Sequence, residues 1–123
     1  MHVLLLDDAM EPRTRLAEAL EELPGVEVEA LATHGVSVMR EIEETRPEVV
    51  ILDVQMPQGG ALGLIHQIKS ALKPPIVIAL SSVSSRMYRS KCRNVGAELF
   101  FDKVSETEAL LRAVSEIRNG LER

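Results

Sequence analysis

The polar residues of this chain that could do chemistry each follow an apolar run. Asp7-Asp8 follow Val3-Leu4-Leu5-Leu6, Asp53 follows Val49-Val50-Ile51-Leu52, Ser81 follows Ile76-Val77-Ile78-Ala79-Leu80, and Lys103 follows a run closing on Phe100-Phe101-Asp102. Three carboxylates brought within ~5 Å of one another would repel by several kcal/mol at an effective dielectric of about 20. A hard divalent cation held by oxygen ligands is the natural way to neutralise them, which points to Mg²⁺ rather than zinc. His2, His34 and His66 are scattered and lack zinc-ligand spacing. A carboxylate beside Mg²⁺, a lysine and a hydroxyl is the apparatus for phosphoryl transfer to or from Asp. Asp53 is then the group that attacks phosphorus, Asp8 and Asp7 hold the metal, Lys103 pairs with a phosphoryl oxygen, and Ser81 donates a hydrogen bond to it.

These residues can act together only if the chain brings them to one place. Val/Ile/Leu-rich segments alternate with longer segments of helical period, the pattern of β-α-β units around a parallel sheet. Strands are expected over about 2–6, 26–30, 49–53, 76–80 and 97–101. Wholly apolar runs mark the first, third and fourth as buried on both faces, whereas Val26, Val28 and Ala30 alternate with Glu27 and Glu29, as suits an edge. Helices are expected from near Pro12, with Leu16, Leu20 and Leu23 inward and Pro24-Gly25 as the stop, and then over about 34–45, 62–72 and 85–95. A last helix opens with a Ser105–Glu108 capping box and turns Leu110, Val114, Ile117 and Leu121 inward. The helix from Ser85 should pack least firmly, because Met87, Tyr88, Cys92 and Val95 are interrupted by Arg86, Arg89, Lys91 and Arg93, which read as a solvated face. In such a sheet the carboxyl ends of the strands share one edge, and right-handed crossovers bring non-adjacent strands together there. Met56-Pro57 and Gly59-Gly60 turn the chain away after Asp53.

At 123 residues the sequence predicts a single domain spanning 1–123. A hydrophobic fraction of 46% with 27% charged residues suits a soluble globular protein, with no run approaching a membrane span. Met1 to Leu6 is too short and too soon acidic for a signal peptide. The net charge of −5 argues against a nucleic-acid surface. A lone Cys92 excludes an internal disulfide and fits a reducing cytoplasm.

Taken in order, an acidic pair, an Asp in a Leu-Asp-x-x-Met-Pro context, a Ser after the fourth strand and a Lys after the fifth resemble the response-regulator receiver domains of two-component signalling, particularly small stand-alone ones. The resemblance covers essentially the whole chain. It implies a flavodoxin-like α/β/α fold with a five-stranded parallel sheet in order 2-1-3-4-5. It implies Asp53 as phosphoacceptor, Asp8 as principal metal ligand, Asp7 acting mostly through water, and the Gln55 backbone carbonyl completing the Mg²⁺ shell, with the Gln55 side chain tuning hydrolysis. It also implies Lys103 as the family's invariant lysine, with Ser81 and Phe100 as the switch pair that reshapes a surface of the fourth helix, fifth strand and fifth helix.

By the same resemblance the phosphodonor is a histidine kinase or a histidine phosphotransfer protein. With no output domain in 123 residues, the output is expected to be an unidentified protein, or the chain is a fragment whose effector was removed, and catalysis is limited to phosphoryl acceptance and autodephosphorylation. Three departures from the family's pattern stand out: Val104 where proline usually follows the lysine, which disfavours a cis peptide; Gly60-Ala61 where an acidic residue and Gly are usual; and Phe100 in place of Tyr. A pseudo-receiver that binds partners without phosphorylation is the alternative. An Asp-dependent phosphohydrolase ranks behind both, because position 55 is Gln rather than a second Asp.

Overall fold

A computed structural model describes residues 1–34, 36–56, 59–82 and 86–121 of the protein. Pro57 and Ser85, to which the sequence assigned a turn and a helix start, lie outside them. Strands and helices alternate: β1 (His2–Leu6), α1 (Met10–Glu21), β2 (Glu27–Leu31), α2 (Val38–Thr45), β3 (Val49–Asp53), α3 (Ala61–Lys69), β4 (Ile76–Ser81), α4 (Arg86–Asn94), β5 (Leu99–Asp102) and α5 (Thr107–Leu121). All strand pairs are parallel, and the sheet order is β2-β1-β3-β4-β5. This is the order the sequence implied.

Alternation along each central strand sorts the core into two layers. Leu4, Leu6, Val50, Leu52, Val77 and Ala79 face one side, where Val38, Ile42, Ile65, Ile68 and Cys92 of α2, α3 and α4 cover them. Val3, Leu5, Val49, Ile51, Ile78 and Leu80 face the other, against Leu16 and Leu20 of α1 and Leu110 and Val114 of α5. A side chain of this size contributes about 1.5–3 kcal/mol when fully buried, so the three central strands form a rigid mount. β2 lies at an edge and is only partly covered, as its alternating charges predicted.

Several element ends differ from the expectation. Helix α2 starts at Val38 rather than near residue 34, because the Ser37 side chain accepts a hydrogen bond from Arg40 N and caps it there. Helix α3 stops at Lys69, leaving Leu72 exposed, and Met87 and Leu121 are exposed as well. The Ser105–Glu108 capping box is replaced by a different arrangement. The Asp102 carboxylate accepts from Val104 N and Ser105 N, Glu106 reaches back to accept from Asp102 N, and α5 begins only at Thr107. No peptide bond among the described residues is cis, including Lys103–Val104.

Candidate functional site

The site lies at the carboxyl ends of β1, β3, β4 and β5. Asp7 follows β1 directly, and its N–H donates to Leu31 O, which prolongs the β1–β2 pairing by a residue. Its Oδ1 accepts from Ala9 N at 2.9 Å, a turn that feeds the chain into α1, and its carbonyl accepts from the Arg13 guanidinium. Asp53 is the last residue of β3, in register with Leu80. Its Oδ1 accepts from Gln55 N at 2.9 Å. Both carboxylates are sealed by the sheet, with exposures of 1% for Asp7 and 6% for Asp53.

Lys103 joins them. Its Nζ lies 2.6 Å from Asp53 Oδ2 and 2.6 Å from Asp7 Oδ2. The first contact is a hydrogen bond, whereas the second is an ion pair that leaves Asp7 Oδ2 buried without an aligned donor. Burial alone pulls the Lys103 ammonium down, but its close contacts with the two carboxylates and their negative charge outweigh it and hold its pKa above the ordinary value. Lys103 N donates to Ser81 O at 2.8 Å, so the last residue of β4 sets the height at which the lysine leaves β5. Ser81 is buried beside this group.

Asp8 is placed otherwise. Its carboxylate turns toward the segment after β2, where Oδ1 accepts from Thr33 N at 2.7 Å and His34 N at 3.3 Å and lies 2.9 Å from His34 Nδ1. Its other oxygen accepts from Thr33 Oγ1. Burial pushes the Asp8 pKa up, yet these donors outweigh burial and hold it below the usual carboxylate value. The sequence therefore groups three carboxylates where the structure gathers two around a lysine and leaves the third with Thr33 and His34. His34, read as an ordinary histidine, is thereby a neighbour of the site, and Thr33 escaped notice. The signal was present, because Thr33-His34 is the polar end of the one strand not counted among the polar-ended strands.

The Gln55 side chain spans to the segment after β4, its Oε1 accepting from Ser82 N at 3.0 Å and from Ser82 Oγ. Phe100 is buried in the layer under α3 and α4, and the Arg89 guanidinium sits 5.0 Å from its ring centroid. Arg89 also reaches Glu106 at 3.4 Å, so one member of the face read as solvated ties α4 to β5 and to the start of α5. A cleft of about 530 Å³ opens beside the acid cluster, between α1 and the start of α5. Leu16, Leu80, Lys103 and Leu110 line it, but Asp7, Asp8 and Asp53 do not.

Among the described residues no group of three acidic, His or Cys side chains is arranged to hold a metal ion. The donor set nonetheless suits a hard cation: oxygen atoms throughout, with Asp7 Oδ2 buried and short of a hydrogen bond beside Asp53. Both oxygens of Asp8 are engaged by Thr33 and His34 instead.

Residues 3–115 match the family described as the response regulator receiver domain. The chain belongs to this family. As a receiver domain it is 30% identical over 120 residues to a protein-glutamate methylesterase/protein-glutamine glutaminase of Treponema denticola, a match covering 94% of this chain and 32% of that protein. A protein of the same description from Geobacter sulfurreducens is 31% identical over 123 residues, covering 100% of this chain and 32% of that protein. The receiver domain thus spans about a third of the length of these curated relatives. In fold it is similar to the crystal structure of the signal receiver domain of a DNA-binding response regulator from Colwellia psychrerythraea, with a TM-score of 0.88 at 24% identity, covering 97% of this chain and 98% of that one. No helix among the described residues is long and apolar enough to cross a membrane.

Proposed function

We propose that this receiver domain accepts a phosphoryl group on Asp53 from a phosphohistidine of a histidine kinase or histidine phosphotransfer protein, in a Mg²⁺-dependent reaction. The observation that carries this reading is the Lys103 ammonium bridging Asp7 and Asp53 at the sheet edge. An Asp53 oxygen attacks phosphorus, the new P–O bond forms as the P–N bond to the imidazole breaks, and the departing histidine keeps the nitrogen electron pair. Asp53 is well placed for this, because β3 fixes its backbone and Gln55 N holds one of its oxygens. Lys103, already on Asp53 Oδ2, follows the developing negative charge onto a phosphoryl oxygen. Ser81, buried at the end of β4, supplies a hydroxyl for another.

Asp7, Asp8, Asp53 and the Gln55 carbonyl would hold the Mg²⁺, whose contribution when bound is to neutralise charge on the phosphoryl oxygens. The signal leaves through α4, β5 and α5 to an output protein. Arg89 supports that route, since one side chain touches Phe100 of β5 and Glu106 ahead of α5. The chain performs no turnover on another substrate, and the reaction belongs in the cytoplasm with its donor.

The test is intact mass after incubation with Mg²⁺ and acetyl phosphate. Wild type should gain a single phosphoryl adduct and Asp53→Asn none. No adduct in wild type refutes the reading and leaves the pseudo-receiver, whereas an adduct that persists in the variant refutes Asp53 as the acceptor.

A further inference from the structure

Both oxygens of the Asp8 carboxylate are engaged by the two residues Thr33 and His34. We infer that Thr33, assisted by His34, is a positioning residue that holds Asp8 out of the metal site, so that the segment after β2 and the cation compete for one carboxylate. This rests on the reading above in which Asp8 is a metal ligand.

The electrostatics explain why the carboxylate turns away. Lys103 is the cation that the described residues place between Asp7 and Asp53, and a third carboxylate there would meet two negative charges with one positive. Thr33 offers a neutral donor to each Asp8 oxygen, and hydrogen bonds to an ionised acceptor are about twice as strong as neutral ones. When a divalent cation supplies the missing positive charge, the balance reverses and Asp8 gains by returning. The cost lies in the groups it leaves. His34 is exposed, so water can replace Asp8 at its donors, whereas Thr33 is only 5% exposed and its N–H and hydroxyl would be stranded. Metal binding is therefore coupled to an opening of the segment around Thr33. The apparent dissociation constant is the intrinsic one divided by the fraction of molecules with Asp8 released, so Thr33 sets the metal affinity without touching the metal.

The experiment is a Mg²⁺ titration followed by amide NMR shifts, with no phosphodonor present. Thr33→Val removes the hydroxyl donor and keeps the volume and β-branching. Its Mg²⁺ dissociation constant should fall about tenfold, while Thr33→Ser, which restores the hydroxyl, should bind as wild type does. His34→Ala, at an exposed position, should tighten binding in the same direction by a smaller factor and serves if Thr33→Val does not fold. In wild type the Thr33 amide should move with Mg²⁺ and exchange faster with solvent. Unchanged or weaker affinity in both Thr33→Val and His34→Ala overturns the inference while leaving the metal assignment intact. Absence of Mg²⁺-dependent shifts in every protein overturns the metal assignment, and this inference with it.

Discussion

Lys103 is the residue on which the site's electrostatics turn. It is a half-buried cation between two buried carboxylates, and breaking such an arrangement from one side leaves charges without a partner. Lys103→Met, similar in length and apolar, should therefore lower stability by about 3 kcal/mol near neutral pH, measured by urea unfolding. The pH dependence follows from the direction of its shift. Its folded pKa stands above the ordinary 10.5, so the stabilisation is fully present below 10.5 and is lost as pH rises through the folded value. Wild type and Lys103→Met should converge in stability above about pH 10.5, and a gap that stays constant into that range would count against the charge as its source. Residue identity was readable from the sequence here, because a lysine just past an apolar run has few ways to be buried without a carboxylate. The bridging geometry was not, since it depends on how far each strand end projects.

Among the elements, α4 shows how a weakly apolar helix is retained. Cys92 is its one buried residue among those described, and Met87 stands in solvent, so the low expectation for its packing was sound. Arg89 compensates by lying over Phe100 and pairing with Glu106. A cation over a ring contributes about 0.5–1 kcal/mol at a partly exposed site, and an ion pair of this exposure adds a few tenths more. Arg89→Ala should cost about 1 kcal/mol, and hydrogen exchange should quicken across Arg86–Asn94 while the α1 amides keep their protection. Uniform quickening over both helices would show that Arg89 acts on the whole fold instead. The strands were legible because an apolar run buried on both faces leaves little ambiguity. Helix ends were not: Leu72 and Leu121 continue an apolar period past the point where the chain still touches the sheet. The start of α5 is decided by Asp102 and Glu106, whose hydrogen bonds to the turn outcompete the Ser105 cap that local spacing suggested.

At the scale of the whole molecule, the β2-β1-β3-β4-β5 order is what makes a site out of residues distant in sequence. It sets β1 beside β3, which puts the Asp7 and Asp53 carboxylates at adjacent strand ends, and then carries β4 and β5 outward so that Lys103 can reach back. Alternation of strands and helices announced the parallel sheet, and the resemblance to receiver domains implied its order. The orientation of Asp8 did not, because it is set by a segment 25 residues away whose donors compete with the cluster for it. The same topology links metal binding to the stability of the entire fold. The carboxylates converge only in the folded chain, so a cation that binds them there and not in the unfolded chain stabilises by RT ln(1 + [L]/Kd), about 2.7 kcal/mol at a hundredfold excess over Kd. For a domain of this size that raises Tm by roughly 10 °C. Adding Mg²⁺ should accordingly raise the melting temperature of wild type in a concentration-dependent manner, and Asp7→Asn should flatten the dependence, since it removes a buried oxygen charge from the donor set. The control is an equal ionic strength of a monovalent salt, which screens surface charges but cannot be coordinated by buried oxygens. If the monovalent salt raises Tm as much as Mg²⁺ does, the stabilisation is screening of the net charge of −5 and not occupancy of the site.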